Sequence, residues 1–210
     1  MKKQISELER YIQELPRLFI AHSDAVGRYT QIIVNELCRL TDTENFPYPK
    51  PSMPDQAYLI GRYHDIGKTG ISNVLWENSS RFSDAEYKLA QTHTVLGAHF
   101  VKPKLSLTDL LDNSDIQNII AECCLFHHER WDGTGYPFRL QGEQIPLYAR
   151  IVAIADCYDA MTEDRPYKEK LTEEAALTEI RQQKGKQFDP VLADIFCEAV
   201  LRKPRDTSEV

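Results

Sequence analysis

The stretch LFHHERWDGTGYP, residues 125–137, sets two adjacent histidines and a glutamate ahead of a glycine-rich, aromatic turn. The chain holds six histidines in all: His22, His64, His93, His99, His127 and His128. His64 is followed at once by Asp65 in YHDIGK, and Asp156 lies far downstream in AIADCYDAM. Neighbouring His-Asp and His-His pairs at helix ends point their side chains in diverging directions. One metal ion would use such pairs poorly, whereas two ions sharing a bridging carboxylate would use them well. Mixed imidazole and carboxylate donors suit iron, manganese, nickel or zinc better than calcium. Two such ions a few Å apart are a recurring way to hydrolyse phosphate esters.

Each feature has an ordinary reading by itself. A lone histidine on a helix is usually a satisfied polar side chain, an HD dipeptide arises by chance, and GTGYP alone reads as a turn. Only the ordered combination carries the chemistry, and it needs elements to bring distant residues together. The 3.6-residue apolar period over residues 3 to 40 predicts helix, interrupted at Pro16. TDTENFPYPKPSMPD then packs four prolines into a loop that ends near Asp55, a plausible cap. A short helix should run through Tyr58, Leu59 and Ile60 to about Asp65. FSDAEYKLAQTHTVLGAHFV reads as one helix capped by Ser83, with Glu86 completing a capping box. SDIQNIIAECCLFHHE reads as a helix capped by Ser114, and GEQIPLYARIVAIADCYDAM as a buried helix with Pro146 in its first turn. TEEAALTEIRQQ and DPVLADIFCEAVL close the chain, each behind a good cap. No strand alternation or repeat is visible. The expected fold class is all-α, a single compact helical bundle over residues 1–210 with the metal site in its core. Residues 203–210 are expected to fray.

The totals exclude several classes. At 210 residues the chain can bury a sizeable core. A net charge of −7 argues against wholesale binding to nucleic-acid backbone, which needs a basic face. An anionic small substrate remains compatible if metals and a few cations hold it locally. Five cysteines, Cys38, Cys123, Cys124, Cys157 and Cys197, make no secreted disulfide framework and no CxxC pattern. They read as reduced, mostly buried thiols. The N-terminus lacks the apolar core of a signal peptide, and no run of about 18 apolar residues exists. A cytoplasmic protein with no membrane contact is expected.

The series His22, His64-Asp65, His93, His127-His128, Asp156 resembles the HD superfamily of metal-dependent phosphohydrolases. HDIGK, HHERWDGTGYP and IPLYARIVAIADCYDAMTEDRPYK resemble more narrowly the HD-GYP family of cyclic di-GMP phosphodiesterases. The likeness covers about residues 20 to 200. It implies an all-helical fold and two divalent transition metals, iron or manganese first, nickel or zinc as alternatives. His22, His64, Asp65, His93, His127, His128 and Asp156 would ligate them, with Asp65 bridging. Lys68 would act on the scissile phosphate or the leaving oxygen. Gly135 and Tyr136 would shape the nucleotide pocket, Asp159 and Ala160 would line its guanine side, and Arg165 and Lys168 would hold phosphates. A hydroxide bridging the metals would cut cyclic di-GMP to linear pGpG, with further hydrolysis to GMP as the alternative end point.

The chain departs from the family in places. Some members take a third metal through a glutamate one turn before the first histidine. Leu18 stands there and cannot ligate, so two metals are expected. After HDIGK the usual "IP" and "KPG" segments are replaced by TGISNVLWENSSRF. No sensor domain is visible ahead of the catalytic part, so the chain is expected either to stand alone or to be regulated by a partner, with a regulatory protein or a second copy of the chain as the candidate partners. Other cyclic dinucleotides, another nucleotide phosphoester, and a non-catalytic nucleotide-binding module stand as alternatives. His99 is expected to be structural. Glu129 and Asp132 either orient the histidines or are solvated helix-end charges. Trp131 is the favoured pocket aromatic over Trp76.

Overall fold

The computed structural model describes residues 2–43, 46, 48–76, 81–104, 106, 115–163 and 169–202, with side chains from residue 6 onward. The apolar run breaks at Pro16 as the sequence predicts. Helix α1 spans Lys2–Gln13 and α2 spans Arg17–Thr41. Pro16 has no N–H to continue a ladder, and with φ −53° it becomes the N-cap of α2. One face of α2, with His22, Val26, Thr30, Ile33, Val34 and Leu37, is buried. This is the 3.6-residue period of a helix with one face in the core.

After the proline-rich loop come a 3₁₀ turn at Pro54–Gln56 and α3, Ala57–Arg62. The HD segment follows as a second 3₁₀ stretch, Ile66–Gly70, then the short α4, Asn73–Trp76. The single helix expected over 82–101 is two, α5 at Asp84–Gln91 and α6 at His93–Val101. The capping box of Ser83 and Glu86 is present. The break has a local cause. Thr92 Oγ1 donates to Leu89 O and His93 Nδ1 to Ala90 O. Side chains thus bond carbonyls that a continuous helix would leave to its own ladder.

Helix α7, Ile116–Phe126, is capped by Asp115 rather than Ser114, which lies outside the described residues. Helix α8, Leu147–Thr162, follows Pro146. Helices α9, Glu173–Gln182, and α10, Pro190–Leu201, start at the Thr172 and Asp189 caps. Helix α8 buries residues around most of its circumference, as a central helix must, and packs on α2, α7, α9 and α10. The main core runs from Leu8 to Val200, and a small satellite forms around Ile71, Leu75 and Ala90. No strand occurs among the described residues, in agreement with the all-α expectation. No helix among them is long and apolar enough to cross a membrane. The expected frayed tail, 203–210, lies outside them.

The proline-rich loop is strapped down on the bundle. Tyr48 donates its hydroxyl proton to Asp189, whose oxygens lie 2.6 and 2.7 Å away, and Met53 N–H donates to the Tyr148 hydroxyl at 3.0 Å. Asp189 also pairs with Arg150 at 2.7 Å and caps α10 through the amides of Val191 and Leu192. Removing this buried carboxylate would strand Arg150, at a cost of about 3–5 kcal/mol.

Candidate metal centre

Asp65 sits between two groups of donors, one oxygen toward each. Its Oδ1 lies 3.2 Å from His93 Nε2 and 3.6 Å from His127 Nε2. Its Oδ2 lies 3.4 Å from His64 Nε2 and 3.9 Å from His22 Nε2. Asp156 Oδ1 closes the second group, 3.1 Å from His22 Nε2 and 3.9 Å from His64 Nε2. Ligand atoms of Asp65, His93, His127 and His128 all fall within 4.8 Å of one another, and so do those of His22, His64 and Asp156. The fold therefore brings together all seven residues named as ligands from the sequence.

The imidazoles are turned inward by what holds their other nitrogen. His64 Nδ1 donates to Gly61 O at 2.7 Å, and His93 Nδ1 to Ala90 O at 2.6 Å. His127 Nδ1 donates to the carbonyls of Cys123 and Cys124 at 2.8 and 3.1 Å. A carbonyl only accepts, so each Nδ1 carries the proton and each Nε2 offers a lone pair inward. His22 Nδ1 is held by Asp159 Oδ2 at 2.6 Å. Gly67 lets the HD segment lie directly against α6, since a Cβ there would run into the backbone of His93 and Gly97. That contact brings His93 to Asp65.

Two inward atoms, His64 Nε2 and Asp65 Oδ1, are buried and have no hydrogen-bond partner among the described residues. A buried orphan polar atom is costly unless something binds it. A cation at this place is what the donors fit. Burial opposes charge on Asp65, but Lys68, His64 and His127 hold its carboxyl well below the usual range. Burial likewise opposes charge on Asp156, and His22 more than offsets it, holding that carboxyl low. His22 would be lowered by burial, but Asp156 and Asp159 carry it up to about 9. Burial, with His127 and His93 alongside, pushes His128 well down, which keeps its imidazole neutral. Lys68 is ion-paired to Asp65 Oδ2 from one helical turn away.

The GYP loop closes the His128 side. The Tyr136 ring stacks on His128 at 4.8 Å and 26° between planes, and Tyr136 N–H donates to His128 O at 3.2 Å. Gly135 is buried against the backbone of His128, Glu129 and Arg130. Glu129, 2% exposed, accepts from Phe138 N at 2.7 Å and Leu140 N at 3.1 Å. It braces the loop instead of orienting a histidine. Asp132 takes the turn amide and hydroxyl of Thr134.

Other expected residues are placed differently. Asp159 is buried behind His22 as its Nδ1 partner, and Ala160 is half-buried beside it on α8. Arg165 and Lys168 lie outside the described residues. His99 is exposed and outside both donor groups. Trp131 packs toward Arg150, at 5.8 Å, whereas Trp76 stands edge-on to His93. Leu18, one turn before His22 on α2, is 38% exposed and carries no donor atom. Sequence reasoning missed the partner role of Asp159. Its signal was the spacing from Asp156, three residues on the same helix and so on one face.

Comparison with known proteins agrees with this geometry. A family model described as an HD domain matches residues 21–192. The chain belongs to the HD domain family. The narrower HD-GYP resemblance is borne out by its relatives. One is a cyclic di-GMP phosphodiesterase of Pseudomonas aeruginosa, 39% identical over 145 residues, 69% of this chain and 33% of that one. Another is a 3′3′-cGAMP-specific phosphodiesterase of Vibrio cholerae, 35% identical over 137 residues, 64% of this chain and 24% of the relative. The chain thus spans about a third of the length of the curated relatives it matches. Among solved structures, an HDG"Y"P protein of Bdellovibrio bacteriovorus superposes with a TM-score of 0.56 at 16% identity, covering 87% of this chain and 52% of that one. At that identity the likeness bears on the fold, and the fold is shared.

Proposed function

We propose that this HD domain is a metal-dependent phosphodiesterase that hydrolyses cyclic di-GMP to linear pGpG. One observation carries the reading: Asp65 turns one oxygen to His93 and His127 and the other to His64 and His22. That is the arrangement of a carboxylate shared by two ions. His93, His127 and His128 would hold one, and His22, His64 and Asp156 the other. Iron or manganese suits these donors best. Such ions, when bound, supply positive charge at the phosphoryl group and lower the pKa of water.

The chain's own residues divide the remaining work. Lys68 lies beside Asp65 and can neutralise charge that builds on a phosphate oxygen or the leaving oxygen. Tyr136 lies flat on His128 and gives the substrate side of the loop an aromatic wall. Arg165 and Lys168 are proposed as phosphate holders on the family pattern. Arginine's fork suits phosphate oxygens. Leu18 in place of a third ligand supports two metals and linear pGpG as the end product.

A second substrate class is supported by the Vibrio cholerae relative named for 3′3′-cGAMP. The test is hydrolysis of both cyclic dinucleotides by protein purified without oxygen, with metals counted on the same sample. Two metals per chain and pGpG formation uphold the proposal. Two metals with turnover of cyclic GMP-AMP alone move the substrate. Neither metal nor turnover, even after reconstitution with iron or manganese, overturns it in favour of a binding module.

A further inference from the structure

Lys68 is held at both ends by one side chain. Its ammonium lies 5.4 Å from the centre of the Trp76 ring, and its carbonyl accepts the Trp76 indole N–H at 3.3 Å. Phe19 adds a second ring, 4.8 Å from the same ammonium. The two rings meet edge to face, 6.0 Å apart and 74° between planes. They belong to opposite halves of the centre. Phe19 stands one turn before His22 on α2. Trp76 lies edge-on to His93 at 6.3 Å. The rings therefore place the ammonium relative to both ligand groups at once.

A lysine ammonium on four methylenes is ordinarily the least fixed cation a protein can offer. Two aromatic rings attract it electrostatically, and more strongly where water is excluded. The Lys68 side chain is only 14% exposed. Plain wall packing also explains part of the arrangement, since Trp76 packs on the satellite cluster and meets Phe82 edge to face. Packing alone does not account for a ring and an N–H from one residue aimed at the two ends of another.

We propose that Trp76 and Phe19 are positioning residues, a seat that keeps the Lys68 ammonium at Asp65 for the phosphoryl-transfer step. The role in turnover rests on the phosphodiesterase reading above; the seat itself does not. The full chain is made with lysine labelled with ¹³C at Cε, and Lys68 is assigned by the signal lost in K68R. Ring currents should move the Lys68 Hε resonances upfield in the wild type and in W76F. They should return toward ordinary values in W76L and F19L. In cyclic di-GMP hydrolysis, W76L and F19L should lose about tenfold in kcat with KM and metal content near wild type. W76F keeps a ring and should recover to within about threefold of wild type.

Unshifted Lys68 resonances in the wild type overturn the seat. Shifts lost in F19L and W76L with wild-type kcat overturn its positioning role, and a rise in KM with kcat intact does the same by making Trp76 a substrate wall. If W76L fails to fold, F19L and W76F decide. A wild type that shows the shifts but leaves cyclic di-GMP untouched sinks the substrate reading and upholds the seat.

Discussion

Gly135→Ala is the sharpest test of how tightly the GYP loop is seated. A Cβ at this position would lie 2.5 Å from Glu129 Cα and 2.6 Å from His128 O, and closer still to Arg130 N. Cβ contacts under 3.0 Å do not occur, so the loop must retreat by at least 3.0 − 2.5 = 0.5 Å, and by 3.4 − 2.5 = 0.9 Å to reach ordinary contact. Every obstructing atom is backbone, so no side-chain rotation relieves the clash. The same retreat acts on the 3.2 Å bond from Tyr136 N–H to His128 O and ends it. Overpacking of this kind costs about 1–3 kcal/mol, and the lost hydrogen bond about 1 more. For a chain of this size the sum corresponds to a fall of about 4–16 °C in Tm. Catalysis should suffer more, because a displacement near 1 Å at a positioned group costs on the order of 10²-fold. Thermal unfolding and steady-state cyclic di-GMP hydrolysis read the two effects on the same preparation. Gly142→Ala is the control. Its φ is +58°, but nothing comes nearer to a Cβ than 3.9 Å, so only backbone strain of about 1 kcal/mol applies. A Gly135→Ala protein as stable and active as wild type would refute the claim that this loop is built on backbone contact.

Three further outcomes are expected. Asp65→Ala should abolish metal binding and turnover together, since the carboxylate faces both donor groups; metal analysis showing a full complement would sink the bridging assignment. Glu129→Ala leaves the amides of Phe138 and Leu140 without their acceptor, costing about 2–4 kcal/mol. KM should rise in that variant while metal content holds, and an unchanged melting curve would contradict the bracing role. Burial raises Glu122 from 4.5 to about 8, and its Oε1 has no hydrogen-bond partner among the described residues. Between those values the folded chain keeps a proton that the unfolded chain has released. The contribution of Glu122 to stability is therefore greatest below about 4.5 and is lost as pH rises toward 8. Glu122→Gln removes that loss and should gain on the wild type from pH 5 to 8, by on the order of 3 kcal/mol at the upper end. Denaturant midpoints across that range check it, and a difference independent of pH would exclude the buried, protonated carboxyl.

What could be read from the sequence divides along a physical line. Pro16, Ser83, Thr172 and Asp189 mark helix starts by local chemistry, and each stands at a start in the structure. The seven donors were named through the resemblance of their order along the sequence to the HD superfamily, and the fold gathers them. Which oxygen of Asp65 meets which histidine was not legible, because residues 22 and 156 meet only through the packing of α2 on α8. The break at Thr92 escaped because the apolar period continues across it, while the side-chain bonds to Leu89 and Ala90 that interrupt the ladder leave no mark on that period.

The same line explains the exchange of roles between the two tryptophans and the ambiguity of Glu129. Trp131 lies inside the motif, yet its amide bonds to Gln187 O and its ring turns to Arg150. Trp76 lies in the segment that departs from the family pattern, yet its ring borders His93 and Lys68. Proximity in sequence to a motif says little about which face of the turn a ring will occupy. Glu129 stayed open between a partner of the histidines and a solvated charge because its partners are backbone amides nine and eleven residues on, and an amide is offered by every residue except proline. Side chains that bind one another can be inferred from complementary types. A side chain that binds backbone can be inferred only from the path of the chain, and here Gly135 sets that path by letting the loop fold back onto residues 128–130.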